Sequence, residues 1–439
     1  MATDEMGINE RDQYLRRMRP QYRQADRRTK KELLDQMVAY TGLHRKSVMR
    51  RLRGPLQRQP RCRERAKTYG AEVDAALAVI WETLDYSCPL RLQPNLVSTG
   101  RWLAECQELL WSPTLEAQLA QISVSSVQRH LPPRPTVPQS RKVPVPLNRH
   151  QQQLPAYRIP RDIAEPGHFE LDLVHHCGPV TEGEYVYTLQ MIDVATGWGA
   201  RRAILGRSYV VVADALAYLF AHLPFPVLEL HPDNGSEFLN QHLLAFLERE
   251  YPEPRCSRSR PGHPNDNRLV EEKNGSLVRH YLGDWRLDTV VQTRYLNTLY
   301  EQLNLYHNYI LPVLKQIDKQ WQPETAARAG YMKRTHDTAR PPLERLCDLW
   351  GSAYAERCQA LRRQRAQVNP RELRRNIYRD LQHLFAYPGA TPGQPENVFE
   401  TLAAPERFPE AMVALQALDA VPPAPTMPAH PHLPGKELA

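Results

Sequence analysis

The chain has 439 residues, 41% of them hydrophobic, so it is long enough for more than one domain and apolar enough for ordinary cores. No apolar run reaches the length of a membrane span, and the opening MATDEMGINERDQY is too polar for a secretory signal. Seven scattered cysteines (62, 88, 106, 177, 256, 347 and 358) without a CxxC pair fit free thiols in a reducing cytosol and speak against a Cys-rich zinc site. The net charge of +8 is uneven: residues 1–70 hold nineteen Lys and Arg against eight Asp and Glu, which suits either a basic end gripping a polyanion or a solvated basic tail.

The first element is helical. In TKKELLDQMVAY, Leu33, Leu34, Met37 and Val38 recur at helical spacing, and Gly42 stands where a tight inter-helix turn belongs. A short basic helix follows, in which Arg45, Lys46, Arg50, Arg51 and Arg53 interleave with Val48 and Leu52. Residues 1–68 therefore read as a helix-turn-helix or a plain helical hairpin. A second helical block, 69–131, ends in LEAQLAQISVSSVQRHL, with a turn near Ile122-Ser123 and a Ser-capped helix carrying Arg129 and His130. Residues 132–163 are rich in Pro, Arg and Lys, the composition of an extended basic linker.

From 164 to 283 the pattern changes. HFELDLV, YVYTLQMIDV and GARRAIL read as strands, YVVVADALAYLFAHL as a helix and PVLELH as a buried strand. GSEFLNQHLLAFLERE reads as an amphipathic helix, residues 254–258 as a short strand or loop, and NRLVEEKNGSLVRHYLG as a helix. Strands in meander order followed by alternating helices and strands predict a mixed sheet with helices on its faces. Residues 284–385 read as mainly helical, opening with LDTVVQTRYLNTLYEQLNLYHNYI. The Pro-rich stretch 386–439 reads as a largely disordered tail.

Carboxylates interrupt the apolar strands. Asp172 lies inside FELDLV, Asp233 ends PVLELHPD, and Glu271 and Glu272 open a helix in RLVEEKNG. A carboxylate in a buried strand is costly unless paired or bound to a cation. The stretch Asp233-Asn234-Gly235 itself fits two roles: a tight turn whose Asn and Gly tolerate positive φ, or a metal ligand at a strand end with a Gly that lets the backbone fold away. Three clustered carboxylates stay ionised together only around a cation, and hard oxygen donors select Mg²⁺ or Mn²⁺.

These pieces, HFELDLV, TLQMIDVATGWG, HPDNGSEF and SRPGHPNDNRLVEEKNG, in this order, resemble the catalytic core of the DDE transposases and retroviral integrases. LYHNYILPVLK and GYMKRTHDTARPPLERL are similar to the segment after the core in bacterial insertion-sequence transposases of the integrase-core type. The resemblance implies a multidomain chain: all-α helix-turn-helix units, an α/β ribonuclease-H-like core (164–283) and a mainly helical C-terminal region. It implies a DNA transposase that cuts element ends and joins them to target DNA with two Mg²⁺ or Mn²⁺ ions on Asp172, Asp233 and Glu271. Glu271 is preferred to Glu272 because it follows Val270 directly and has Asn274 one turn on, on the same face.

The same resemblance implies double-stranded DNA as partner, at least a dimer, no membrane, and a bacterial cytoplasmic location on DNA. Arg45, Lys46, Arg50, Arg51, Arg53, Arg129, Lys273, Asn274 and Arg279 are the expected nucleic-acid contacts. His175 and His176 point to opposite strand faces and are poorly placed to share an ion, and Asp193 reads as a turn cap. Two other readings stay open: a non-enzymatic DNA-binding protein derived from a transposase, and a ribonuclease acting on RNA–DNA hybrids.

Overall fold

The computed structural model describes residues 6–54, 68–132, 154–160, 162–235, 237–261, 263, 266–323 and 330–419. Most of the expected linker, and residues 420–439 of the expected tail, lie outside the described residues. The chain divides into two compact units, Met1–Thr68 and Tyr69–Ala439.

Among its described residues, the first unit holds three helices, α1 (Ile8–Gln24), α2 (Arg27–Thr41) and α3 (Arg45–Arg53). Asp26 caps α2 by accepting from the Thr29 N–H at 2.9 Å. Gly42, at φ +65°, ends α2 in the left-handed conformation that a Cβ disfavours. Leu15, Leu34, Met37, Val48 and Leu52 form the core. The sequence reading missed α1: its apolar positions are sparse among seven charged ones, and Pro20 lies inside it.

In the second unit, α4 (Ala71–Thr83), α5 (Pro89–Leu92), α6 (Leu96–Glu105), α7 (Pro113–Gln121) and α8 (Val124–His130) precede the sheet. Ser123 caps α8 by accepting from the Ser126 N–H at 3.2 Å. The sheet comprises β1 (His168–His175), β2 (Val186–Asp193), β3 (Gly199–Leu205), β4 (Glu229–Pro232) and β5 (Arg255–Cys256), in the order β3-β2-β1-β4-β5. β1 runs antiparallel to β2 and parallel to β4, β2 antiparallel to β3, and β4 parallel to β5. It is a mixed five-stranded sheet with flanking helices.

Helix α9 (Tyr209–His222) joins β3 to β4, and α10 (Gln241–Glu250) joins β4 to β5. α10 begins later than GSEFLNQH suggested, because Asn240 caps it by accepting from the Leu243 N–H at 2.8 Å. α11 (Arg268–Lys273) continues through a π-helical stretch, Asn274–Arg279, into the short α12 (His280–Leu282). α13 (Val290–Tyr309), started by a Thr289/Gln292 capping box, packs on β3.

Three boundaries differ from the sequence reading. Helices α4–α8 share one hydrophobic core with the sheet, so 69–131 is part of the second unit rather than a domain of its own. The region after α13 contains a hairpin, β6 (Gln316–Gln322) with β7 (Tyr331–His336), before α14 (Pro342–Trp350), α15 (Ala355–Ala366) and α16 (Pro370–Ala386). The expected disorder fails for residues 398–419, which form short helical turns and α17 (Pro409–Asp419). Phe408 and Ala411 join the main core there, and the buried carboxylate of Asp214 on α9 accepts the N–H groups of Ala403 and Ala404 at 2.8 and 2.9 Å. Proline content hid a segment that folds by docking.

Candidate active site

β1 sends alternate residues to opposite faces. Phe169, Leu171 and Leu173 go to one side, all buried. Glu170 and Asp172 go to the side that α11 covers, where the Val270 N–H donates to Glu170 Oε2 at 2.9 Å and Asn274 Nδ2 donates to Asp172 Oδ2. Gln190, opposite Asp172 on β2, donates to Asn274 Oδ1 at 2.8 Å. Asn267 Nδ2 donates to the Leu171 carbonyl at 2.7 Å. The helix is thus fastened to β1 by three polar links and to β2 by a fourth. Sequence reasoning missed Glu170 and Gln190, although Glu170 stands two residues from Asp172 and the strand period puts the two on one face.

Asp233 follows the end of β4. The last registered pair between the parallel strands is Leu171 with Pro232, and the next residue on each strand is an aspartate. Neighbouring strands lie about 4.8 Å apart, so the register makes Asp172, inside β1, the neighbour of Asp233 just past the end of β4. Both are half-buried. Asp233 Oδ1 accepts the Gly235 N–H at 2.8 Å, an Asx turn. Neither Asn234 nor Gly235 has positive φ, so the expected conformational reason for this Gly does not hold. A Cβ there would lie 2.6 Å from Glu237 Oε1 and 2.9 Å from Asp233 Oδ1, so those side-chain ends would have to shift.

Glu271, in the first turn of α11, and Glu272 beside it are exposed. Glu271 lines a cavity of about 670 Å³ that neither Asp172 nor Asp233 lines. Among the described residues, no group of three or more His, Cys, Asp and Glu side chains is gathered to hold a metal ion. The two aspartates are juxtaposed by strand register, and Glu271 lines the cavity wall.

The expected nucleic-acid contacts divide. Lys273 and Asn274 are 4% and 5% exposed, so they are not surface contacts as expected: Asn274 bonds Asp172 and Gln190, and Lys273 lines the cavity. Burial, reinforced by Arg91, pushes the Lys273 ammonium down to about 8. Arg279 is half-buried in the π-helical stretch, close enough to His175 and His176 for its charge to lower both. In the first unit, Arg45 pairs with Asp35 and Arg51 with Asp12, whereas Lys46, Arg50 and Arg53 are exposed. Arg129 is exposed and bonds Ser126 Oγ at 3.0 Å.

The two histidines after Asp172 do diverge. His175 is exposed, and His176 is 2% exposed against Thr188 Oγ1 at 2.7 Å, pushed by burial down to about 3. Asp193 is fully buried and accepts from the Gly167 and Thr196 N–H groups, each at 2.8 Å, and from Thr196 Oγ1 at 2.6 Å. It closes the β2–β3 turn, as its place before ATGWG suggested.

No family model matches this chain. The catalytic core domain of BIV integrase aligns with 32% of this chain and 83% of its own at a TM-score of 0.24 and 17% identity, a likeness too slight to argue from. An uncharacterized protein of Sinorhizobium fredii, y4rM, is 33% identical over 333 residues, 74% of this chain and 91% of the relative, and this chain belongs to the y4rM family.

Proposed function

We propose that this chain is a DNA transposase, a metal-dependent polynucleotidyl transferase of ribonuclease-H-like fold that cleaves element ends and joins them to target DNA. The observation that most supports this is the β1/β4 register, which makes Asp172 on β1 the neighbour of Asp233 just past the end of β4. The order of the acidic motifs along the chain supports it as well. Asp172, Asp233 and Glu271 offer hard oxygen donors, the ligand type for Mg²⁺ or Mn²⁺, and the proposed complement is two ions.

Such ions, when bound, supply charge that stabilises both the attacking and the leaving oxygen of an in-line displacement. The chain's own residues prepare the site. Asn274 holds one oxygen of Asp172, and the Gly235 N–H orients Asp233. His175 lies close enough to Asp233 to feel its charge and, with Arg279 beside it, is a candidate to hold the scissile phosphate. The proposed assembly is at least a dimer, because two element ends must be joined together.

A second reading is a non-enzymatic DNA-binding relative. It is favoured by the exposed Glu271 and by the lack, among the described residues, of a gathered ligand set. One experiment separates the two: cleavage and joining on supercoiled plasmid carrying the DNA that flanks the gene, in Mg²⁺ or Mn²⁺. The transposase reading expects activity in wild type and a loss of at least a hundredfold in Asp233→Asn and Glu271→Gln. Binding without cleavage in either metal favours the second reading. Equal activity in all three proteins refutes the assigned carboxylates.

A further inference from the structure

The cavity beside α11 has a chemistry of its own. Its wall combines the start of α11, the β2–β3 turn, residues 313–316, the end of β7 and Arg345 of α14. Seven Lys and Arg side chains face three Glu there, an excess of positive charge in one recess. Lys273 lines it, and among the described residues its ammonium makes no hydrogen bond or ion pair although the residue is 4% exposed. The Nε atoms of Arg91 and Arg345, two other lining residues, are buried without a hydrogen-bond partner, although the Arg345 guanidinium pairs with Asp337 and Arg91 lies 4.0 Å from Glu272. A bound anion would give the Lys273 ammonium the partner it lacks.

The size of the cavity narrows the ligand. At about 670 Å³ it falls within the range of small-molecule sites, and a bare phosphate would fill only a small part of it. Ile159, Leu269 and Val313 give apolar wall, and Arg158 and Arg268 give guanidinium planes of the kind on which bases stack. We propose that this cavity binds a nucleotide by its phosphate, with Lys273 and Arg158 as contacts, the nucleotide being either free or the 5′-phosphorylated end of a strand. This site goes beyond the transposase reading and needs neither metal nor cleavage.

The test is isothermal titration calorimetry on the full chain in EDTA, with dAMP, a 5′-phosphorylated thymidine tetranucleotide and inorganic phosphate as probes. At least one nucleotide probe is expected to bind tenfold or more tightly than phosphate. Lys273→Met and Arg158→Gln should each weaken it at least tenfold, and Arg363→Gln, exposed on α15, should not. Binding of dAMP supports a free nucleotide, and binding of the tetranucleotide alone supports a strand end. If Lys273→Met fails to fold by circular dichroism, Arg158→Gln, at a half-buried position, decides. No nucleotide binding, phosphate binding as tightly as nucleotide, or wild-type affinity in Arg158→Gln and any folded Lys273→Met overturns the proposal.

Discussion

Asn274 donates its side-chain amide to Asp172 from the helix that crosses β1, one turn beyond Glu271. The same amide accepts from Gln190 at 2.8 Å. A single buried residue thus ties the first carboxylate of the candidate site to the helix bearing the third. Its role is to hold the site's frame rather than to meet DNA.

Asn274→Ala should therefore be felt mainly as lost stability. It strands the Gln190 amide and removes a donor from Asp172, and leaving such groups unsatisfied costs about 1–3 kcal/mol. Urea unfolding of the full chain measures this. A change within experimental error would mean that water replaces the amide without cost, and the link would not be structural.

Asp85 anchors the far end of the same helix. Its carboxylate accepts from Tyr378 at 2.7 Å, Tyr281 at 2.9 Å and Arg374 at 3.2 Å, and pairs with His280 at 3.2 Å. These partners overcome burial and hold it down at about 2, against 3.8 for an ordinary aspartate. A depressed carboxylate stabilises the fold above its unfolded pKa, and that stability is lost as pH falls through the folded value. The loss should run from about pH 4 to pH 2 and amount to on the order of 2 kcal/mol. Asp85→Asn should be less stable at pH 7 and show a flatter acid limb in thermal melts; parallel acid limbs in the two proteins would refute the assignment.

The strands that carry the site were legible because carboxylates broke otherwise apolar runs, and the helix of Glu271 because its apolar spacing was clear. What joined them was not. The pairing of Leu171 with Pro232 spans sixty residues of chain, and no local pattern encodes it. The burial of Lys273 was equally hidden, since its neighbours Glu271 and Glu272 are exposed and a charged run normally marks a solvated face. Asn274 could be placed on the Glu271 face from helix geometry, but its partner required the sheet. The hairpin 316–336 escaped because its strands bury little: Ile317 and Trp321 are more than 60% exposed.

Metal binding has a thermal signature independent of catalysis. A cation shared by Asp172 and Asp233 would relieve their repulsion and bind only the folded chain, adding about 2.7 kcal/mol at a hundredfold excess over its dissociation constant. Mg²⁺ should raise the melting temperature of wild type, and Asp233→Asn should lose most of that rise. Equal shifts in both proteins would mean that the two aspartates do not share an ion.

The first unit makes a sharper prediction about salt. On α3, Lys46, Arg50 and Arg53 fall at i, i+4 and i+7, one exposed stripe turned away from the buried Val48 and Leu52. Arg45 and Arg51 are instead engaged by Asp35 and Asp12. If the stripe neutralises phosphates, log K for DNA should fall linearly with log salt, and each stripe residue replaced by Gln should flatten the slope by about 0.9. Arg45→Gln and Arg51→Gln should flatten it less, since each replacement also releases an aspartate whose charge opposes DNA. Arg51→Gln should destabilise the unit more than Lys46→Gln, because Asp12 is only 19% exposed and loses its partner. Filter binding between 50 and 300 mM salt, on the full chain, reads all five slopes. A flat response in wild type would remove α3 as a DNA contact, and five equal changes would mean that charge number, not the stripe, governs binding.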